Sequence, residues 1–522
     1  MGATLKWLGL CSTVLALSAA SFASANDLRV VSAAQKGDRG AVRTLLKGRA
    51  DVNAAQADGA TALAWASYRD DLEMAGLLIG AGAKTNAAND YGITALWLAC
   101  ANGSGPMVEK LLKGGAEADL AQWSGATPLM MCARTGNPDA VKLLLARGAR
   151  VNVTERVQGQ TALMWAAAKG HPEVVQALIE SGANVNTSTK GGSTALMFAA
   201  QQGDTESARL LLAAGANVNA VTNAQATWVG DTPLLLAVAS GHEETAILLL
   251  EKGADPNAAD EFGFTALHFS MMRSLAQVTG ARNFYLWSTY LYRDNMPELV
   301  KALLAHGANP NARIARTMGV NKLLANRAND PSKFAVYDVG ATPFLLAAHG
   351  HDINIMRMLK QAGADPLLPT EGMTTPLMMA AGLTRQRDFD ALPYSAEEAN
   401  EALAAVKLCV EFGADVNAAN NVGLTALHGA AFTGLDDVVR FLVQEGANMD
   451  VRDASGQTPL QKAMNIKPRA GLNTLRNGHD IFVPYTYQKS TAELLLKLGA
   501  TPAKSPVLER VTNLEATIPA GQ

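Results

Sequence analysis

The sequence predicts an all-α solenoid of about 12 stacked repeats, because it carries a regular period of two short helices and a turn. A Thr-Ala-Leu or Thr-Pro-Leu triplet (Thr-Pro-Phe in one copy) recurs with a spacing of 33 or 34 residues in seven of ten intervals. Such a period indicates one supersecondary unit stacked many times, which offers a long surface rather than a deep pocket. The marking threonines are Thr61, Thr94, Thr127, Thr161, Thr194, Thr232, Thr265, Thr342, Thr375, Thr425 and Thr458.

Residues 170–204 show the elements of one period in order. The first helix carries apolar residues at helical spacing from Val174 to Leu178, and Gly182 ends it as a C-terminal glycine with positive φ does. A polar turn rich in Asn and Gly follows. Thr194 takes the N-cap position of a second helix, whose alanines give it a small-residue face suited to close packing.

These motifs resemble the ankyrin repeat, whose pattern combines T-P-L-H-x-A, G-H and a G-A-D-V-N-A turn. The sequence carries TPLLLAVASGH at 232–242, TALHGAA at 425–431 and GADVNAAN at 413–420. A first repeat without the Thr triplet is expected at 37–56, because Gly37 precedes Asp70 by one period. The resemblance implies an ankyrin repeat domain over 26–501, followed by a C-terminal tail at 502–522.

Residues 1–25 read as a secretory signal peptide. Lys6 is the only charge, Trp7–Ala20 is apolar and small, and Ala23-Ser24-Ala25 is an A-x-A site, so cleavage is expected after Ala25. No other stretch is long and apolar enough to span a bilayer. The full chain has a net charge of −3, and removal of Lys6 with the signal peptide leaves about −4, which gives no reason to expect nucleic acid as a partner.

Three cysteines follow residue 25, and we expect all three to be free thiols. An odd number argues against a disulfide framework. Cys100 and Cys132 occupy the alanine slots of consecutive second-type helices, and Cys409 lies in the run VKLCVEFGA. Packed helices are about 8–10 Å apart, whereas a disulfide needs Cα atoms within about 7 Å. All three are interpreted as small buried residues.

Insertions interrupt the period in the C-terminal half. Three lie between the two helices of alternate repeats, near 271–295, 382–400 and 466–488, and are expected to emerge on one edge. Two others enlarge the β-turn fingers, at 219–231 and near 313–339. The second has five basic residues and is expected to be a loop over the concave groove, with a binding role and a tolerated excursion left open.

No motif for catalysis, a cofactor or a metal is found, so we expect none of these. HEETA at 242–246 lacks the second histidine of a zinc protease motif, and no G-x-S-x-G elbow occurs. By the resemblance, His351 fills the G-H slot as His171 and His242 do. The resemblance likewise implies that His268 and His428 fill the T-x-L-H slot and tie neighbouring repeats together.

Partner contacts are expected at the finger tips and at the ends of the inner helices, the helices that follow the Thr marks, because the ankyrin family uses these surfaces. Exposed aromatic and Arg residues are typical of such contacts. The alternative is that each tip stacks on the next finger. The candidates are Tyr91, Trp123, Trp228 and Phe262 at the tips, and Tyr68, Arg69, Arg134, His349 and Phe432 on the helices.

The resemblance to exported bacterial ankyrin proteins implies a non-catalytic protein-binding scaffold or modulator. We expect it in the periplasm or outside the cell, as a monomer that binds protein. A host-directed secreted effector is the alternative, and an enzyme with its site in the inserted loops ranks below it. The absence of catalytic motifs disfavours the enzyme, and the signal peptide favours the periplasm over injection into a host.

Overall fold

The computed structural model describes two compact units, Met1–Arg150 and Val151–Gln522. Within both, the described residues form helices and tight turns, with only isolated β-bridges at the bases of four fingers. The predicted all-α repeat solenoid is confirmed. The described residues are 27–226, 229–271, 295–315, 339–383, 394–464 and 488–502.

The first unit stacks four helix pairs. Odd-numbered helices are inner helices, and even-numbered ones are outer helices. Each inner helix packs on the next inner helix, and each outer helix on the next outer one. The helices are α1 Arg29–Lys36, α2 Arg39–Lys47, α3 Ala62–Tyr68, α4 Leu72–Gly80, α5 Ala95–Ala101, α6 Gly105–Lys113, α7 Pro128–Thr135 and α8 Pro138–Ala146.

The described part of the second unit continues the same alternation. Its helices are α9 Ala162–Ala167, α10 Pro172–Glu180, α11 Ala195–Gln202, α12 Thr205–Ala213, α13 Pro233–Ala239, α14 Glu243–Glu251, α15 Ala266–Phe269, α16 Pro297–Ala305, α17 Pro343–His349, α18 Ile353–Gln361, α19 Pro376–Ala380, α20 Ala396–Glu411, α21 Ala426–Thr433, α22 Asp436–Gln444, α23 Pro459–Ala463 and α24 Lys489–Leu498.

Threonine caps begin the inner helices after the first, as predicted. The hydroxyl of Thr94 accepts the backbone N–H of Trp97 at 3.2 Å, which satisfies one of the donors that a helix start leaves unpaired. Where His follows, Nδ1 of His428 accepts the Thr425 N–H at 3.2 Å, and Nε2 donates to the Gln457 carbonyl of the next finger at 3.1 Å. The predicted tie between repeats is therefore confirmed at His428.

His351 does not fill the slot that the sequence predicts. It has φ of +57°, in the left-handed position that Gly170 and Gly241 take in other repeats. Asp352 is the N-cap of α18 and accepts the Ile355 N–H at 3.0 Å. The sequence prediction for His351 is therefore wrong by one position. Gly350 and His351 resemble the G-H pair, but Gly350 is the C-cap of α17, so His351 takes the glycine position and Asp352 the histidine position.

A disulfide joins Cys100 of α5 to Cys132 of α7, with Cα atoms 4.5 Å apart. The prediction of free thiols at these two positions is wrong. It treated the distance between helix axes as the distance between Cα atoms. Each Cα lies about 2.3 Å from its own axis, so facing Cα atoms of axes about 8–10 Å apart come within about 3–5 Å. Cys409 is buried as predicted, and burial raises the pKa of its thiol to about 12.

An asparagine ladder joins successive repeats at the base of the fingers. In each rung the side-chain amide donates to a glycine carbonyl of the next repeat and accepts a backbone N–H there. Asn152 bonds the Gly182 carbonyl at 3.0 Å and the Asn184 N–H at 2.8 Å. The rungs are Asn53, Asn86, Asn152, Asn186, Asn219, Asn257, Asn311 and Asn417.

The inserted segments leave the fold at two kinds of position. Met271, Leu383 and Met464 each lie between an inner and an outer helix, which is where the sequence places three of the insertions; the residues that follow them lie outside the described ranges. The last part of the 382–400 insertion is not a loop. From Ala396 it extends α20, because Ser395 and Glu398 form a capping box ahead of an Ala- and Glu-rich run.

The insertion near 313–339 enters through the tip of a finger. Two backbone hydrogen bonds join the residues on either side of it. The Ile314 N–H donates to the Ala341 carbonyl at 3.1 Å, and the Gly340 N–H donates to the Ile314 carbonyl at 2.7 Å. The Ala315 N–H bonds the Phe262 carbonyl of the preceding finger at 2.8 Å. The basic segment 316–338, expected from the sequence to be a loop, lies outside the described residues.

Candidate functional site

Three aromatic residues of the first unit are exposed to solvent. Their exposed fractions are 46% for Tyr68, 54% for Tyr91 and 64% for Trp123. No other Trp, Tyr or Phe among the described residues is exposed. We refer to Tyr68, Tyr91 and Trp123 as the aromatic surface. They come from three consecutive repeats, two from finger tips and one from the end of an inner helix.

A tight turn presents Tyr91. The Asn89 side chain accepts the N–H groups of Tyr91 at 3.0 Å and Ile93 at 2.9 Å. Gly92 has φ of +74°, and a Cβ built there would lie 3.0 Å from the Cα of Gln122 in the next finger. Because only glycine fits this close approach, the turn is held and the Tyr91 side chain projects from it.

The next finger presents Trp123 on a turn held by backbone bonds. Its backbone N–H donates to the Tyr91 carbonyl at 3.0 Å, and Gly125 closes the turn with a bond to the Gln122 carbonyl at 2.8 Å. The two fingers are thus joined through their backbones, while both aromatic side chains stay largely open to solvent. Exposed aromatic residues grouped in this way are typical of binding surfaces.

Tyr68 and Arg69 lie at the end of α3. The Tyr68 ring meets the half-buried Trp65 edge-on, with centroids 5.7 Å apart. The exposed Arg69 guanidinium donates through Nε to the Gln35 carbonyl of the preceding repeat at 2.8 Å. Arg69 therefore bonds to its neighbouring repeat as well as facing solvent. Arg134 is exposed at the end of α7, in the repeat that carries Trp123.

The candidates in the second unit are placed differently. His349 is only 5% exposed, inside the packed end of α17, so it offers no surface to a partner here. Phe262 and Phe432 are half-buried. Trp228 lies outside the described residues. The structure therefore places Tyr68, Arg69, Tyr91, Trp123 and Arg134 on the surface of the first unit, and none of the candidates described in the second unit is exposed.

Sequence reasoning missed several exposed apolar residues because it considered no aliphatic or Met side chain as a partner contact. Val157 is 54% exposed, four residues before Thr161, at the register that Trp123 takes before Thr127. Leu367 and Met373 are exposed on one finger of the second unit. Leu367 takes the slot of an asparagine rung, and this departure from the repeat pattern is a signal that could have found it.

Two half-buried carboxyls with raised pKa values lie at the fingers of the second unit. Burial, followed by the charges of Asp260 and Glu261, raises the pKa of Asp231 to about 7. Burial also raises the pKa of Asp260 to about 6, although backbone N–H groups of Phe264 and Phe262 favour its charged form. The described residues contain no group of three or more His, Cys, Asp or Glu side chains that could hold a metal ion.

No helix within the described ranges combines the length and the apolar character needed to cross a membrane.

Comparison with known proteins supports the fold. Two family models together match more than half of the chain. One is described as ankyrin repeats (3 copies) and the other as ankyrin repeats (many copies). The first matches 30–122, 66–155, 129–222 and 392–483, and the second matches 196–250 and 235–274.

Individual relatives match shorter segments. Alpha-latroinsectotoxin-Lt1a of Latrodectus tredecimguttatus is 31% identical over 26% of this chain and 9% of its own length. Protein phosphatase 1 regulatory subunit 27 of Homo sapiens is 39% identical over 11% of this chain and 37% of its own. Notch-regulated ankyrin repeat-containing protein A of Danio rerio is 55% identical over 7% of this chain and 34% of its own. The matches thus span about a tenth to a third of these relatives. With its Thr-capped inner helices, glycine turns and asparagine ladder, this chain belongs to the ankyrin repeat family.

Proposed function

We propose that this protein binds a protein partner without catalysing a reaction, and that the aromatic surface of the first unit makes the central contact. The observation that carries the proposal is the pair Tyr91 and Trp123, more than half exposed on adjacent fingers that are bonded to each other. Large exposed aromatic side chains are unfavourable in water, and Trp and Tyr are enriched among residues that dominate binding energy. Arg69 and Arg134, also exposed on the first unit, add positive charge to its surface.

A role as a scaffold or modulator agrees with the comparisons. One human relative is named as a regulatory subunit of protein phosphatase 1. The present chain carries the same kind of repeat, and no catalytic motif was found in its sequence. We propose that it works in this general manner, as a monomer, on a partner of its own.

Export to the periplasm or beyond is part of the proposal. Residues 1–25 have the pattern of a signal peptide. The Cys100–Cys132 disulfide supports the same conclusion, because disulfides persist in oxidising compartments and are rare in the cytosol. Mass spectrometry of the exported protein should find Asn26 as the first residue, and a mature chain beginning at Met1 would contradict export.

The binding proposal is tested by capture from the native envelope fraction. The wild-type chain serves as bait beside Trp123→Ala and Val157→Ala. Val157 is the matched control because it is an exposed apolar residue at the same finger register. A partner retained by wild type and Val157→Ala but lost with Trp123→Ala supports the proposal. A partner retained equally by all three baits would place the binding surface elsewhere.

A further inference from the structure

The disulfide lies in the two repeats that carry the exposed finger aromatics. Cys100 is six residues after Thr94 on α5, and Tyr91 is three residues before Thr94. Cys132 is five residues after Thr127 on α7, and Trp123 is four residues before Thr127. One short capped helix and one tight turn therefore separate each sulfur from its aromatic tip.

Other repeats have no cysteine in these slots. In the preceding pair of repeats, Ser67 and Ala99 take the positions that correspond to Cys100 and Cys132. In the second unit, Ala167 and Ala199 take them. Alanine thus supports the same packing of inner helices, so the cross-link is not needed for the repeats to stack.

Without the cross-link, a single backbone bond joins the tips. The Trp123 N–H donates to the Tyr91 carbonyl at 3.0 Å. The preceding finger pair has an equivalent bond, from the Asp90 N–H to the Asp58 carbonyl at 2.9 Å, but no disulfide beneath it. A solvated bond at the edge of a repeat interface opens when the two repeats separate locally.

The disulfide opposes that separation. It joins positions 32 residues apart in sequence and holds the facing Cα atoms at 4.5 Å. Both cysteines are fully buried, so thiol reagents reach the bond only when the repeats open. It therefore acts as a permanent constraint on the pair of repeats rather than as a reversible switch.

We propose that the Cys100–Cys132 disulfide positions Tyr91 and Trp123, holding their two fingers in register so that the pair meets its protein partner preorganised. The inference rests on the proposed function of the aromatic surface. Preorganisation increases affinity because less conformational freedom is lost on binding. The two cysteines are positioning residues, since neither reaches the surface.

Amide hydrogen exchange of the full chain tests the positioning without any partner. The variant is C100A/C132A, because alanine fills the equivalent slots elsewhere. Thiol titration of the unfolded, unreduced wild-type protein first counts its free thiols. A wild-type chain beginning at Asn26 should show one free thiol, that of Cys409, because Cys100 and Cys132 are joined. We expect the Trp123 amide to exchange about tenfold faster or more in the variant, while the Asp90 amide is unchanged. If both amides accelerate equally, the disulfide contributes only general stability and the inference fails.

A transplanted disulfide provides the reverse test. Ser67→Cys with Ala99→Cys, made in the C100A/C132A background, places a cross-link at the same register one repeat earlier. Exchange at the Asp90 amide should then slow while that at Trp123 remains fast. No slowing at Asp90 in a chain shown by titration to carry the new cross-link would overturn the inference. Because no partner is used, these outcomes are independent of whether the capture experiment succeeds.

Discussion

At the scale of single residues, the repeat pattern is most informative where one residue departs from it. Met373 lies where other fingers carry a glycine of positive φ, and its own φ is +60°. Its neighbour Gly372 is one position too early to take that slot. A side chain in this left-handed region is strained, and Met373 is 48% exposed, so burial compensates this strain only in part.

Met373→Gly should therefore stabilise the protein by about 0.5–1 kcal/mol, because relief of left-handed strain exceeds the added flexibility of the unfolded chain. Thermal or denaturant unfolding measures the change. Met373→Ala, which keeps a Cβ at the same φ, is the control and should give no gain. Equal stabilisation by both variants would show that the loss of the exposed side chain, not the backbone strain, is responsible.

A second residue-scale prediction concerns Asp231, whose pKa in the folded protein is about 7 against a usual 3.8. A raised carboxyl pKa means that the fold favours the protonated form. The stability from that form is complete below the usual pKa and is lost as pH rises through about 7. Asp231→Asn keeps a neutral side chain at every pH.

The free energy of unfolding of Asp231→Asn should match that of wild type near pH 4. At pH 8 it should be larger by about 1 kcal/mol, after allowance for solvent screening at a half-buried group. Unfolding curves at the two pH values check this. A difference that is the same at both pH values would mean that the carboxyl charge is not the cause.

At the scale of elements, the sequence predicted the helix starts and turns but not the contacts between helices. Thr94 and Gly182 act locally, through a cap and a left-handed turn, so their motifs identify them without knowledge of the fold. The Cys100–Cys132 bond depends on how closely two small-residue faces approach, which periodicity alone does not give. Likewise, the exposure of Trp123 and the burial of His349 depend on what neighbouring repeats cover.

The asparagine ladder gives a prediction at this scale. Leu367 follows Asp365 as Asn417 follows Asp415, and its N–H bonds the Asp365 side chain at 2.9 Å in the same way. Leu367→Asn should therefore add the missing rung to the next repeat and stabilise the protein by about 1 kcal/mol.

Denaturant unfolding is the measurement for this variant, with Leu367→Ala as the control that removes the exposed leucine without adding an amide. The free energy of unfolding of Leu367→Ala should lie within about 0.5 kcal/mol of that of wild type. If Leu367→Asn is no more stable than Leu367→Ala, the two repeats are not in the register that the ladder requires.

At the scale of the whole molecule, the two compact units differ in the surfaces that their described residues expose. The first unit is regular, cross-linked and exposes aromatic side chains. The second carries all the long insertions and buries or half-buries its described candidates. The sequence predicted the tips as the binding surface but could not rank the two units, because the period is the same in both. The ranking comes from the exposed fractions of Tyr91 and Trp123.

The affinity of the captured partner for Trp123→Ala is the most direct test of the claim that the aromatic surface makes the central contact. An aromatic anchor contributes about 2 kcal/mol, so the variant should bind about 30-fold more weakly than wild type. Val157→Ala should change affinity by less than about twofold, and neither change should move the unfolding temperature appreciably. Equal affinities for the two variants would contradict the assignment of binding to the aromatic surface. A marked loss of stability in Trp123→Ala would show instead that the side chain supports packing.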